Sequence, residues 1–271
     1  MPKRRRHVNA VSNNSLKTHA LGRGESYEPY LHIQDVPSIG LATREKGWKT
    51  KRIHHFLSKL EWLYFFILEW SPIVTDIREQ YPLDIEETLA IAESIGIKHP
   101  INVKTKKPIV MTTDFLITIK KHIGIEEHAR TIKYASQLSS IRVIEKFEIE
   151  RVYWTRRDVK WDISTEKEID NILAANIEWV HPYRDLSSLR PLTKKMVREV
   201  ELILAPQVLG VRFRLSELTS ACDNHLGLDI GTSLMVVRHL LATKRWQVNM
   251  YEPIRPAKKM LFTSAQCSTT H

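Results

Sequence analysis

The stretch from 111 to 133 most constrains the fold, because it predicts two neighbouring antiparallel strands. Residues 111–120 are rich in Thr, Ile, Phe and Leu, which suit a pleated surface, and a polar loop separates them from a second run at 128–134. Antiparallel pairing brings Asp114, early on the first strand, and Lys133, late on the second, towards the same end of the hairpin. A carboxylate and an ammonium held together there can bind a metal ion and steer a water molecule, as in metal-dependent nucleases.

Composition indicates a folded, basic protein. The 271 residues suffice for one large domain or two modest ones, and a hydrophobic content of 42% argues against global disorder. The formal charge of +10 and the pI near 9.5 favour a polyanionic partner. The two cysteines, Cys222 and Cys267, show no zinc spacing and no disulfide framework, which suits a reducing cytosol.

No segment predicts association with a membrane. The most apolar stretch, 62–70, contains Glu69 and is too short to span a bilayer. The N-terminal segment has no apolar run, so we expect no secretory signal. We therefore expect a cytoplasmic protein.

Residues 1–24 form a polar segment that opens with the cations Lys3, Arg4 and Arg5. We expect a flexible basic arm. Its cations either contact DNA phosphates or belong to a solvated tail.

Residues 25–165 predict an α/β domain. Ser58 and Glu61 have the spacing of a capping box, which indicates the start of a helix. The adjacent His54 and His55 cannot point to one site from a helix, and we expect them at the surface or facing DNA. After loops and short elements at 25–55, the predicted order is a helix (58–70), a strand (73–79), a short helix (84–97), the hairpin, an amphipathic helix (139–157) and a strand (159–164).

Residues 166–271 predict a separate, mainly helical domain. A helix over 165–180 is capped by Thr165, with Glu168 three residues on. Further helices at 186–205, 214–225 and 232–245 precede a β element at 246–251, a layout that fits a winged helix-turn-helix. In the candidate recognition helix, 232–245, we expect DNA binding by the cations Arg238, Lys244 and Arg245.

Several motifs resemble one family along most of 25–180. They are HHFLSKLE (54–61), LEW (68–70), DIREQYPL (76–83), GIKHP (96–100), TDF (113–115) and NIEW (176–179). These motifs resemble the TnsA endonuclease subunits of heteromeric cut-and-paste transposases. Over 186–271 the likeness is one of layout and not of motifs.

The resemblance implies a fold and an activity. The fold is a restriction-endonuclease-like N-terminal domain, a mixed sheet flanked by helices, followed by a helical winged domain. The activity is Mg²⁺-dependent hydrolysis of the 5′ DNA strands at transposon ends, with Mn²⁺ as an alternative metal. The implied partners are transposon-end DNA, a TnsB-type transposase that cuts and joins the 3′ ends, and a TnsC-type ATP-dependent regulator. Such a protein is expected at the nucleoid of a bacterium.

The resemblance also assigns site residues. The acidic metal ligands of the family fall on Glu61 and Asp114, its lysine falls on Lys133, and the fold implies that the backbone carbonyl of Ile132 reaches the metal. The family usually has Gln or Glu two residues before the lysine, but this chain has Thr131. A hydroxyl is a poorer metal ligand than a carboxylate, so we expect Thr131 to act through water or only to shape the strand.

The site residues have structural alternatives. Glu61 can serve only the capping box, Asp114 can be an ordinary strand-end acid, and Lys133 can be a surface lysine. Glu79 and Gln80, on the neighbouring strand, fit either a structural role or an approach to the site.

Two other functions remain open at this point. One is a different nuclease of the restriction-endonuclease fold. The other is a non-catalytic DNA-binding regulator that is built on the winged helix.

Overall fold

The computed structural model describes residues 22–35, 42–210 and 212–265. Its contacts divide the chain into two compact units, of which the first ends at Ile169 and the second begins at Asp170. The sequence placed the domain boundary between residues 165 and 166, and that boundary stays a prediction. The arm cations Lys3, Arg4 and Arg5 lie outside the described residues. None of the helices in the described part of the chain has the length and apolar character needed to cross a bilayer.

The first unit is a mixed α/β structure built on a four-stranded sheet. The elements of this unit are β1 (Thr43–Lys46), β2 (Ile53–Phe56), α1 (Lys59–Trp70), β3 (Val74–Pro82), α2 (Ile85–Ser94), β4 (Thr112–Lys121), β5 (Gly124–Ile132), α3 (Ile141–Thr155) and β6 (Lys160–Ser164). In the four-stranded sheet, β4 is antiparallel to both β3 and β5, and β6 is parallel to β5, so the sheet is mixed. The mixed sheet with helices agrees with the predicted α/β class.

The β4–β5 hairpin is longer than the sequence predicted. Pairing continues to Lys121 and Gly124 at the tip, so β5 begins at Gly124 and not at residue 128. The tight turn is possible because Gly124 has φ 144°, which side-chain-bearing residues rarely adopt. At the other end of the hairpin, the Ile132 N–H bonds to the side chain of Asp114, which brings the candidate site residues of the two strands together.

The short elements predicted within 25–55 include an antiparallel hairpin, β1–β2, whose second strand ends at Phe56. The prediction that His54 lies at the surface or faces DNA is wrong, because its side chain is fully buried. Its ring nitrogens contact Thr50 Oγ1 at 2.7 Å and Glu79 Oε2 at 2.8 Å. Arg52 also binds the Glu79 carboxylate, and the Nη1–Oε1 distance is 2.7 Å. This buried polar cluster joins β2 to β3.

The second unit consists of helices and short strands. Its elements are α4 (Asn171–Val180), α5 (Lys194–Val208), β7 (Phe213–Arg214), α6 (Leu215–Leu226), α7 (Thr232–Ala242), β8 (Trp246–Val248), β9 (Lys259–Met260) and β10 (Phe262–Ala265). Strand β8 pairs with β10, and β7 pairs with β9, both antiparallel.

Two predicted helices begin later than the sequence indicated. Thr165 and Glu168 do bond to each other, but they close a turn, and the N-cap of α4 is Asp170, which accepts the N–H groups of Ile172 and Leu173. The helix predicted from residue 186 begins at Lys194, after the cis Arg190–Pro191 bond, and Thr193 caps it. In both cases the helix begins after a residue whose side chain caps it, Asp170 for α4 and Thr193 for α5.

Candidate active site

Asp114 and Lys133 come together at one end of the β4–β5 hairpin. The register places Asp114 beside the end of β5, where its Oδ2 accepts a hydrogen bond of 2.7 Å from the Ile132 N–H. Lys133 follows directly and is half-buried, within electrostatic reach of Asp114 and Glu61. The structure thus brings together the two carboxylates and the lysine that the family resemblance assigned.

Glu61 enters the site from the first turn of α1. Ser58 caps this helix, because its Oγ accepts the Glu61 N–H at 3.2 Å. The Glu61 carboxylate folds back and accepts hydrogen bonds from the Ser58 hydroxyl at 2.8 Å and the Leu57 N–H at 2.9 Å. Capping and membership of the site, which the sequence left as alternatives, are therefore compatible.

Electrostatics set Glu61 and Asp114 apart from ordinary surface acids. Burial is the main cause that raises the pKa of each carboxyl above its usual range, and the charge of Asp114 raises the pKa of Glu61 further. Hydrogen bonds and the charge of Lys133 oppose these increases. Two acids that are shielded from water and repel each other are destabilised as anions, and a bound cation would relieve that repulsion.

The donor set fits a divalent cation that is held through oxygen. Magnesium usually takes one or two carboxylates and keeps water at its other positions, whereas zinc is typically held by three or four protein ligands. Across residues 22–35, 42–210 and 212–265, no group of three or more His, Cys, Asp and Glu side chains is arranged to hold a metal ion. Glu61 and Asp114 thus meet the magnesium pattern. The N–H and C=O groups of a strand residue point to the same side of the strand. Since the Ile132 N–H points to Asp114, the Ile132 carbonyl also faces the side of β5 on which Asp114 lies.

A further acid near the site, the buried Glu150 on α3, lies beside Thr131. Its Oε1 accepts hydrogen bonds of 2.6 Å from the hydroxyls of Thr113 and Thr131. Trp161 Nε1 in turn donates to the Thr131 hydroxyl at 3.1 Å. Burial raises the pKa of Glu150 to about 7, and the charge of Asp114 adds to that increase. Thr131 is therefore part of a hydrogen-bonded cluster with Glu150, Thr113 and Trp161, which lies within electrostatic reach of Asp114.

The sequence reasoning missed Glu150, although a signal for it existed. On α3, Glu150 lies in phase with Tyr153 and Trp154, three and four residues on, and all three are buried. A glutamate on the apolar stripe of an amphipathic helix needs a polar partner in the core. The hydroxyls of Thr113 and Thr131 fill that need.

In the second unit, Arg238 uses its guanidinium for packing. Its Nε donates to the Trp179 carbonyl at 3.0 Å, and its Nη1 donates to the Tyr183 hydroxyl at 2.7 Å. The guanidinium also lies over both rings, 4.7 Å from the centroid of Trp179 and 3.6 Å from that of Tyr183. These contacts give Arg238 a structural role, and its predicted contact with DNA stays untested.

The start of α7 is buried within the second unit. Thr232 and Ser233 have exposed fractions of 5% and 0%, and the Ser233 N–H bonds to Asp223 Oδ1 at 2.7 Å. Farther along the chain, Arg245 forms an ion pair with the buried Glu201, and Lys244 is exposed. Because a recognition helix reads bases from its N-terminal residues, this arrangement does not favour base reading by α7.

Both units of the chain match the models of known protein families. A family model described as the TnsA-like endonuclease N terminal matches residues 71–166, and one described as the TnsA endonuclease C terminal matches residues 168–250. The chain is also similar to the transposon Tn7 transposition protein TnsA of Escherichia coli, with 36% identity over 241 residues, 88% of this chain and 84% of that protein.

The chain belongs to the TnsA family. It is therefore an endonuclease subunit of a transposase, and the function as a non-catalytic regulator is not favoured. Within this family, Glu61, Asp114 and Lys133 are the candidates for the catalytic machinery. Their assignment rests on the geometry described above and on the motifs around them.

Proposed function

We propose that the chain is a Mg²⁺-dependent endodeoxyribonuclease that hydrolyses the 5′ strands at transposon ends during cut-and-paste transposition. The observation that carries this proposal is the pair of carboxylates, the buried Glu61 and the half-buried Asp114, with Lys133 within electrostatic reach of both. The first unit is interpreted as a restriction-endonuclease-like domain. The proposed place of action is DNA at the bacterial nucleoid.

Each side chain has a proposed task in phosphodiester hydrolysis. Glu61, Asp114 and the Ile132 carbonyl would hold the metal ion. When bound, magnesium supplies charge neutralisation at the phosphate and activation of water. Lys133 would orient or deprotonate the attacking water and neutralise charge on the phosphate. A positioned acid or base alone contributes about 10²–10⁴-fold, so most of the rate must come from the metal ion and from positioning.

We propose that partner proteins recognise the DNA sequence of the transposon end. The three helices α5–α7 and the β8–β10 pair fit a winged-helix-like domain, but the start of α7 is buried. We therefore propose that this unit contacts a partner protein or DNA phosphates, and that a TnsB-type transposase recognises the transposon end. A TnsC-type regulator would gate the assembled complex.

The test uses the full chain with a TnsB-type transposase and end DNA that is labelled on the 5′ strand. We expect cleavage with Mg²⁺ or Mn²⁺ and none with EDTA. Asp114→Asn and Glu61→Gln should each lower the cleavage rate by about 10²-fold or more. Glu126→Gln is the matched control, because Glu126 pairs with Lys121 near the far end of the hairpin.

Two outcomes would contradict the proposal. Near-wild-type cleavage by Asp114→Asn or Glu61→Gln would rule out this site. Equal cleavage of end DNA without the TnsB-type transposase would instead indicate an independent nuclease of the same fold.

A further inference from the structure

Gln80 has an unusual backbone conformation beside the candidate active site. Its φ of 49° lies in the left-handed region, which side-chain-bearing residues rarely adopt, and only 2% of the residue is exposed. Its neighbours Glu79 and Tyr81 keep their regular pairing with Phe115 and Thr113 on β4. The distortion is therefore confined to one residue within a paired strand, and such local strain is often found at functional sites.

Hydrogen bonds from two tyrosines of the N-terminal segment stabilise this backbone conformation. The Tyr30 N–H donates to the Gln80 carbonyl at 3.3 Å, and the Tyr27 hydroxyl donates to the Glu79 carbonyl at 2.9 Å. The Glu79 side chain is in turn fixed by the buried guanidinium of Arg52. Both carbonyls around the distortion thus have donors, which explains how the fold tolerates it.

The side chain of Gln80 lies beside the two candidate metal ligands. Its Nε2 donates to Glu61 Oε2 at 3.4 Å. The register places Gln80 opposite Asp114 on β4, where its polar side chain opposes the rise in the pKa of the Asp114 carboxyl. At the other end of the carboxamide, Oε1 accepts a hydrogen bond of 3.2 Å from the Thr112 hydroxyl. Because an amide oxygen can only accept and an amide NH₂ group can only donate, this bond turns the NH₂ group towards the carboxylates.

We propose that Gln80 is a positioning residue for the nuclease site, whose carboxamide holds Glu61 and Asp114 at the separation that a divalent cation needs. This inference rests on the proposed function. A side chain that donates to one acid and lies opposite the other limits the positions that either acid can take. Groups that orient metal ligands in this way typically contribute 10–100-fold to metal affinity or activity. A purely structural glutamine would instead affect the stability of the fold.

The test compares Gln80→Met with the wild-type full chain. Methionine is similar in size but cannot bond to either carboxylate. We expect the apparent Kd for Mn²⁺, measured by electron paramagnetic resonance without DNA, to rise by about 10-fold or more. Half-maximal cleavage should need correspondingly more Mg²⁺, and high Mg²⁺ should restore most of kcat. Gln207→Met, which replaces an exposed glutamine on α5, should leave both quantities unchanged.

Two further variants separate positioning from folding. Gln80→Asn keeps an amide and suits the left-handed backbone, but its side chain is one methylene shorter, so it should lose Mn²⁺ affinity while it melts like the wild type. Thr112→Val removes the bond that orients the carboxamide, and it should weaken Mn²⁺ binding in the same direction by a smaller factor. If Gln80→Met does not fold, the Mn²⁺ affinities of Gln80→Asn and Thr112→Val test the positioning role of Gln80.

The outcomes distinguish this inference from the proposed function. Wild-type Mn²⁺ affinity in Gln80→Met, or in both Gln80→Asn and Thr112→Val, overturns the positioning role and leaves the nuclease assignment intact. A wild-type chain that binds no Mn²⁺ and cleaves no DNA overturns both.

Discussion

At the scale of single residues, Thr131 stands two residues before Lys133, where the family resemblance implies Gln or Glu. Its hydroxyl donates to Glu150 at 2.6 Å and accepts from the Trp161 indole at 3.1 Å. A hydroxyl has one proton and two lone pairs, so these bonds leave little for a metal ion. Thr131 is therefore better suited to hold Glu150 than to act as a ligand.

This arrangement predicts the behaviour of Thr131→Ala. We expect cleavage within about 10-fold of the wild type, because no metal ligand is lost. The melting temperature should fall, because Glu150 loses one of its hydrogen bonds in the core, a loss of about 1–3 kcal/mol. Thr131→Ser, which keeps the hydroxyl, is the control. A Thr131→Ala variant as inactive as Asp114→Asn would show that the hydroxyl takes part directly.

Glu150 itself predicts a dependence of stability on pH. Burial raises its pKa to about 7 from the usual 4.5, so the folded state holds the proton more tightly than the unfolded state does. Its contribution to stability is therefore complete below about pH 4.5 and is lost as the pH rises through about 7. Glu61 and Asp114 act in the same direction when no metal ion is bound.

The variant Glu150→Gln removes this loss and keeps an oxygen that accepts from Thr113 and Thr131. Between pH 5 and pH 8, in EDTA, its free energy of unfolding should fall less than that of the wild type, by on the order of 1–3 kcal/mol. Chemical denaturation at several pH values measures the difference. Parallel curves for the two proteins would show that the Glu150 carboxyl does not carry a raised pKa.

At the scale of elements, α7 is a central helix of the second unit. Eight of its residues are buried: Thr232, Ser233, Val236, Val237, His239, Leu240, Leu241 and Ala242. Arg238 on the same helix ties it to Trp179 of α4 and to Tyr183. The sequence pattern indicated a recognition helix, whereas the packing indicates a core helix.

We expect Arg238→Met to destabilise the second unit by about 1–3 kcal/mol, because it leaves the Trp179 carbonyl and the Tyr183 hydroxyl without a charged donor. Its affinity for DNA should stay close to that of the wild type. Thermal unfolding and a gel-shift titration measure the two effects, with the exposed Arg255→Met as the control. Weaker DNA binding with unchanged melting would support the DNA-binding role that the sequence indicated.

At the scale of the whole molecule, the formal charge of +10 predicts electrostatic binding to DNA. Phosphate contacts release counterions but carry no base information, so the isolated protein should bind DNA weakly. We expect its affinity to fall about tenfold or more between 50 and 200 mM salt. Its preference for end DNA over scrambled DNA should stay below about 10³-fold, the lower bound for ordinary specific binders. A stronger preference in gel-shift titrations would assign end recognition to this subunit.

The two units also predict a site of proteolysis. Exposed connecting segments are cut before packed ones, and the contacts divide the chain after Ile169. Limited proteolysis of the full chain should therefore cut first between about 165 and 190. Mass spectrometry of the fragments identifies the cut, and resistance throughout that segment would argue for one fused unit.

Local patterns in the sequence were sufficient for most of the elements, whereas the three candidate site residues, Glu61, Asp114 and Lys133, were assigned through the family resemblance. The β4–β5 hairpin, the Ser58 cap of α1 and the pairing of Asp114 with the end of β5 follow from strand propensity, capping chemistry and alternation, which depend on near neighbours. The motifs around Glu61 and elsewhere in 25–180 indicated the TnsA family.

Other features depended on contacts between residues that are far apart in the chain. Glu150 meets Thr113 across 37 positions, and His54 meets Glu79 across 25, so no local pattern shows which groups these side chains bind. The conformation of Gln80 depends likewise on donors that lie on other segments. Burial, partners and backbone strain are set by packing among distant segments, because a buried polar group is stable only where the folded chain supplies its hydrogen bonds.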